Sequence, residues 1–219
     1  MKPFQVLDFI DYKYLAVLMS EHRNNPDVIS KNTGPQVSHN MDSPIIEWCI
    51  AKLKQNFGEF DVLNTQVFET TYPHILHNDW SPDDRGEGLA FLIPLAHDGD
   101  ENPNFVVYDQ YYRTGAVKLY GGGPGPRKVY YNKPLLSYED VENLNEDPFD
   151  QEFYDKYLTH LKPNWVQGLS VNSLFEWKPT SMICFHRNNI HSASDFRKQG
   201  VTKKVGLSIF TNNCEALKK

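Results

Sequence analysis

The stretch Lys203-Lys204-Val205-Gly206-Leu207-Ser208-Ile209-Phe210-Thr211 alternates in chemistry with a period of two. Successive side chains of a strand point to opposite faces, so Val205, Leu207 and Ile209 share one face and Lys204, Gly206, Ser208 and Phe210 the other. The first face is wholly apolar and suits packing beneath a layer of helices. The second places an ammonium, a glycine and a hydroxyl where a barrel interior would be. A lysine in that company is poorly explained as core, because charged groups are rarely buried without a partner. It is well explained as a partner for a carboxylate, with Ser208 supplying a hydrogen bond. The competing explanation is an edge strand with a solvated Lys203-Lys204 pair.

The same period recurs upstream. Thr65–Tyr72, Leu89–Leu95, Phe105–Tyr108, Leu169–Trp177 and Ser181–His186 all read as strands bounded by turn residues. Before them, Gln5–Asp11 alternates weakly, and Tyr12–Glu21 carries Leu15, Leu18 and Met19 at near-helical spacing. Arg23–Asp42, rich in Asn, Pro, Ser and Gly, reads as a long loop. Ser43 and Pro44 then supply an N-cap and a first helical position, followed by the stripe Ile46, Cys49, Ile50 and Leu53. Between Gln110 and Pro163 the strand pattern lapses. That stretch holds the glycine-rich loop Tyr120–Arg127, a helix Tyr138–Leu144 capped by Ser137, and a helix Phe149–Leu161 started by Asp147-Pro148. It reads as an insertion able to cover a pocket. These elements predict one domain over residues 1–219, with a helical N-terminal cover over about 1–64 and a β core over about 65–211. The fold class is mainly β with flanking helices, built on a double-stranded β-helix (a jelly-roll or cupin-like core).

Composition excludes several functions. Of 219 residues, 22 are Lys or Arg and 28 Asp or Glu, a net charge of −6, which offers no electrostatic footprint for a nucleic-acid backbone or an anionic membrane. No run approaches the ~18 apolar residues of a membrane span, and the first residues carry no signal-peptide core. Cys49, Cys184 and Cys214 form no CxxC pair, which leaves a cytoplasmic setting with buried, inert thiols as the expectation.

The candidate for chemistry is His77-Asn78-Asp79 together with His191. At i and i+2, His77 and Asp79 point to one face and can converge on a metal ion, with His191 as third ligand from a distant strand. Two histidines and a carboxylate leave about half of an octahedron open, the facial triad of non-heme Fe(II) oxygenases. Eight histidines and 28 acidic residues yield roughly one His-x-Asp/Glu pair by chance, and this chain has one, so the pair is weak taken alone. His74 rivals His77 but lacks a carboxylate at i+2. His186 rivals His191, but it ends a strand, whereas His191 follows the short loop His186–Ile190. Asp109, Tyr111, Tyr112 and Arg113 either line a pocket mouth or simply end a strand.

The surroundings of the pair have a family likeness. Tyr72-Pro73-His74-Ile75-Leu76-His77-Asn78-Asp79 resembles the strand and turn that carry HxD in the Fe(II)/2-oxoglutarate-dependent oxygenases, where an aromatic commonly precedes the metal histidine. Trp177-Lys178-Pro179-Thr180-Ser181-Met182-Ile183-Cys184-Phe185 is similar to that family's W-x-P-G-x-x-x-x-F strand, with Thr180 in place of the glycine. Lys204 and the strand after it resemble the closing strand that anchors the cosubstrate, although many members carry arginine there. The likeness runs in order from Tyr72 to Thr211. It implies Fe(II) held by His77, Asp79 and His191, 2-oxoglutarate held by Lys204, Ser208 and Tyr72, and O₂ as oxidant. It also implies hydroxylation of a small molecule or a peptide side chain, with release of succinate and CO₂. Asp79 argues against halogenation, since resembling halogenases leave that position free. Residues alone also admit another cupin-like metalloprotein, such as an isomerase or a cosubstrate-independent dioxygenase, or a metal-free jelly-roll binding module.

Overall fold

A computed structural model of the chain describes residues 1–26, 28, 36–79, 88–111 and 148–217. Of the elements expected from sequence, the loop Tyr120–Arg127, the helix Tyr138–Leu144 and the residues Tyr112 and Arg113 lie outside the described residues, as does most of the insertion. In chain order the described elements are β1 (Phe4–Val6), α1 (Tyr12–Arg23), β2 (Gln36–His39), α2 (Pro44–Phe57), β3 (Asp61–Thr70), β4 (Leu89–His97) and β5 (Asn104–Tyr111). They continue with α3 (Gln151–Tyr157), α4 (Pro163–Val166), β6 (Val171–Glu176), β7 (Met182–His186), β8 (Asn189–Ala193) and β9 (Lys204–Asn212).

The strands form two antiparallel sheets, one ordered β1-β7-β4-β9-β3-β2 and the other β6-β5-β8. Alternation along the central strands explains the layering. Leu89, Phe91, Ile93 and Leu95 of β4, Met182 and Cys184 of β7, and Val205, Leu207 and Ile209 of β9 face outward. They pack under α1 and α2 with Leu18, Ile46, Cys49 and Leu53. Ala90, Leu92, Ile183 and Phe185 face inward and meet Phe105 and Val107 of the small sheet, together with Trp177. The outer face of the small sheet, Val106 and Tyr108, is covered by Leu158, Leu161 and Val166 around α3 and α4. The result is a jelly roll whose two sheets enclose a core and whose helices cover both outer faces.

Local chemistry accounts for most element ends. Ser43 Oγ accepts from the Ile45 N–H at 3.3 Å and Pro44 opens α2. Asp150 caps α3 by accepting from the Phe153 N–H at 3.0 Å, which starts that helix later than Asp147-Pro148. Pro94 sits within central strand β4 at a register shift, where its missing N–H breaks no regular ladder. Two expectations change. The segment read as a loop over Arg23–Asp42 contains β2, which pairs with β3, so the N-terminal cover also adds strands to the main sheet. The loop expected over His186–Ile190 is a two-residue connection into β8, which places His191 on a strand. All three cysteines are buried and free, and burial pushes the Cys49 thiol up to about 12. Among the described residues no helix is long and apolar enough to cross a membrane.

Candidate metal centre

His191 lies on β8, opposite Val107 of β5. On its other side the chain at His77 adds a single bridge: the His77 N–H donates to the His191 carbonyl at 3.1 Å and the His191 N–H to the His77 carbonyl at 2.9 Å. Directly paired antiparallel residues show their side chains on one face, and the two imidazole centroids are 4.1 Å apart. Two residues on, Asp79 brings its carboxylate against both rings, with His77 Nε2 3.6 Å from Oδ1 and His191 Nε2 3.3 Å from Oδ2. Among the described residues, His77, Asp79 and His191 form the one group of three or more such side chains able to share an ion. His186 stays outside the group at the end of β7, its Nδ1 accepting from the Asn188 N–H at 3.2 Å. His74 stacks on His77 with ring centroids 4.1 Å apart.

The tautomers follow from the acceptors. His77 Nδ1 lies 2.8 Å from the Ile75 carbonyl and His191 Nδ1 lies 3.0 Å from that of Asn189. A carbonyl only accepts, so each Nδ1 carries the hydrogen and each Nε2 turns a lone pair toward Asp79. Burial lowers the His191 pKa to about 3, keeping that ring neutral. Burial also raises the Asp79 pKa, opposed by the nearby Arg187 guanidinium. The Asp79 carboxyl and two imidazoles therefore converge, with no hydrogen on either Nε2. That arrangement is repulsive by itself and is satisfied by a cation, so the donor set fits a divalent metal.

The triad lines one end of a cavity of about 150 Å³ between the sheets. Its walls include Phe68, Leu92, Phe105, Trp177 and Phe210, and its polar lining includes Gln66, Thr70, Ser208 and Lys204. Lys204 is 3% exposed. Its ammonium lies 4.1 Å from the Trp177 ring centroid and 5.3 Å from that of Phe196, with no ion pair or hydrogen bond to any described residue. The Trp177 indole N–H is likewise buried without a described acceptor. Gly206 makes this floor possible: a Cβ there would come within 2.6 Å of Trp177 and 2.8 Å of Phe68.

No protein-family model matches this chain, and no curated protein matches it. Solved structures do match. The epimerase SnoN, solved with Fe3+, alpha ketoglutarate and nogalamycin RO, aligns over 96% of this chain and 78% of its own at 11% identity, with a TM-score of 0.51. A 2OG-Fe(II) oxygenase family oxidoreductase from Burkholderia pseudomallei aligns over 96% of this chain and 84% of its own at 12% identity, with a TM-score of 0.50. The chain shares the jelly-roll fold of these two structures.

Within this fold, not every site expected from sequence lines the cavity. His77, Asp79, His191, Lys204 and Ser208 all do. Ser208 lies four residues beyond Lys204 on the same strand, about 13 Å along the backbone. Tyr72, expected beside the cosubstrate, is 55% exposed and stacks on the Arg197 guanidinium at 4.1 Å instead. The reason is local: Thr70 Oγ1 donates to the Tyr72 carbonyl at 2.7 Å, turning the chain at the end of β3 and sending Tyr72 outward. Asp109 accepts from Ser170 Oγ and Asn172 Nδ2 at 2.9 and 2.6 Å, a polar tie between β5 and the β6 end and not part of the cavity lining. Thr70, directly across the strand from Lys204, lines the cavity without any sequence signal that points to it.

Lys204 has a measurable consequence for stability. Burial lowers its pKa from 10.5 to about 7. Between those values the unfolded chain binds a proton that the folded one does not, so stability rises with pH across the window and the burial penalty is fully present below about 7. Lys204→Met, which keeps the volume and removes the charge, is therefore expected to raise the melting temperature of the ligand-free protein at pH 6. The gain should shrink as pH climbs through 7 toward 10. Thermal melts of both proteins across that range check this, and parallel curves would contradict it.

Proposed function

We propose that this protein is a non-heme Fe(II)- and 2-oxoglutarate-dependent dioxygenase that oxidises a small molecule or a peptide side chain, by default through hydroxylation. The single observation that carries the reading is Lys204: a buried ammonium with no described counter-charge lines the same cavity as a two-histidine, one-carboxylate donor set. A buried charge is costly until it is paired, and a dicarboxylate that reaches the metal with one end would pair with Lys204 at the other.

In this reading His77, Asp79 and His191 hold the metal on one face and leave the remaining positions to cosubstrate and O₂. When bound, the metal with 2-oxoglutarate and O₂ supplies the oxidising chemistry, releasing succinate and CO₂. The chain's own residues position and protect. The carbonyls of Ile75 and Asn189 keep both imidazoles turned with Nε2 toward the ion. Lys204 fixes the distal carboxylate by charge. Phe68, Leu92 and Phe105 exclude water from the region between anchor and metal.

Anaerobic titration of the metal-free protein with Fe(II), with and without 2-oxoglutarate, tests the reading. A weak visible charge-transfer band is expected only when both are present. Metal binding without any response to 2-oxoglutarate would instead indicate a cosubstrate-independent dioxygenase or an isomerase, and no metal binding a metal-free binding module. Succinate release across amino acids, peptides and metabolites then identifies the substrate class.

A further inference from the structure

Asp79 differs from the two histidines in how it is held. His77 and His191 are fixed by their mutual main-chain bridge and by their Nδ1 contacts. Asp79 lies past that bridge, and among the described residues its carboxylate meets the two imidazoles and is held by no hydrogen-bond donor. Its aim therefore depends on its main chain, and one residue holds both polar groups of that main chain. The Asp79 N–H donates to the Arg187 carbonyl at 3.0 Å. The Asp79 carbonyl accepts from Arg187 Nε at 3.2 Å and Nη2 at 2.7 Å. The same guanidinium donates from Nη1 to the Thr211 carbonyl at 3.1 Å, and the Arg187 N–H donates to the Gly88 carbonyl at 3.1 Å. Arg187 is 3% exposed and belongs to the two-residue connection between β7 and β8.

We propose that Arg187 is a positioning residue for the metal, acting through the main chain of Asp79 to aim its carboxylate at the point shared with His77 and His191. The inference rests on the metal-binding reading above. Arginine suits the task because its donors lie in one rigid plane and it stays charged when buried. A fork of this kind reaches two carbonyls from distant parts of the chain at once, which a single ammonium cannot do with the same geometry. Merely filling space would not call for it, since a buried cation is costly compared with an apolar side chain of similar volume.

Co(II) is a suitable probe because its visible d–d absorption reports coordination as well as occupancy. Arg187→Met and Arg187→Lys are expected to weaken Co(II) binding by roughly 10–100-fold, the usual cost of losing an outer partner of a metal ligand. They are also expected to change the d–d spectrum at saturation, because a displaced carboxylate alters the coordination. Ile46→Val, which only loosens packing under α2, should lower the melting temperature and leave affinity and spectrum unchanged. If Arg187→Met fails to fold, Arg187→Lys decides, since it keeps length and charge and loses only the fork. Wild-type affinity and spectrum in the Arg187 variants overturn the proposal, and so does weakened binding with an unchanged spectrum. A wild-type protein that binds no Co(II) at all would remove the metal reading itself, a result distinct from wild-type binding that Arg187 does not influence.

Discussion

His77→Ala and His191→Ala are each expected to abolish tight Fe(II) binding, while His74→Ala and His186→Ala largely retain it. The effect should exceed the ~10–100-fold typical of an outer partner, because each variant removes one of three donors and leaves the Asp79 carboxylate facing a single imidazole. His74 stacks on His77 without joining the donor set, and His186 ends β7 outside it. Equilibrium titration of the metal-free variants, followed by calorimetry or by the visible band with 2-oxoglutarate, measures all four. Loss of iron in His186→Ala together with retention in His191→Ala would show the third ligand to be wrong.

Lys204→Ala is expected to weaken 2-oxoglutarate by roughly 30- to several-thousand-fold while leaving metal affinity nearly unchanged. Truncating one partner of a buried charge-assisted pair costs ~2–5 kcal/mol, and each ~1.4 kcal/mol is a factor of ten. Lys203→Ala is the control. Its ammonium lies on the opposite side of the strand, 3.7 Å from Glu69 and half exposed, where an ion pair is worth ~0–1 kcal/mol. Lys204→Arg should retain part of the function, limited by the space beside Gly206 and the Trp177 ring. The 2-oxoglutarate dependence of succinate formation compares the three. Equal KM values for Lys203→Ala and Lys204→Ala would sink the anchor and much of the oxygenase reading with it.

The parts of the molecule that are legible in the sequence are those with a period or a fixed offset. β9 alternates cleanly because one face meets helices and the other a cavity, so residue order alone separates the inward set Lys204, Gly206, Ser208 and Phe210. The offset of two between His77 and Asp79 carries its geometry with it, since both must fall on one face. β8 is not legible because Asn189-Ile190-His191-Ser192-Ala193 is short, polar at one end and joined to β7 by two residues, so it resembles a loop. It becomes a strand only by pairing with β5, more than eighty positions earlier. β2 is hidden in the same way within a segment of turn-forming composition. Tyr72 departs from its expected place because a backbone turn at Thr70, not the strand period, decides where it points. Arg187 has no pattern at all: its role depends on two main-chain carbonyls, which no side-chain motif records.

The last of the described strands is not at the rim of its sheet. β9 lies between β4 and β3, with Asp61 paired to Asn212 and Thr70 to Lys204. During synthesis β3 and β4 therefore leave the ribosome long before the strand that separates them exists, each with an unsatisfied edge. Pairings this distant along the chain make folding slow, and exposed edges invite association with other chains. The cavity shares that timing, because its ammonium arrives on β9 and the His191 imidazole on β8. The cavity cannot be complete on a nascent chain that has not reached residues 204–212, so its assembly waits until β9 has been made.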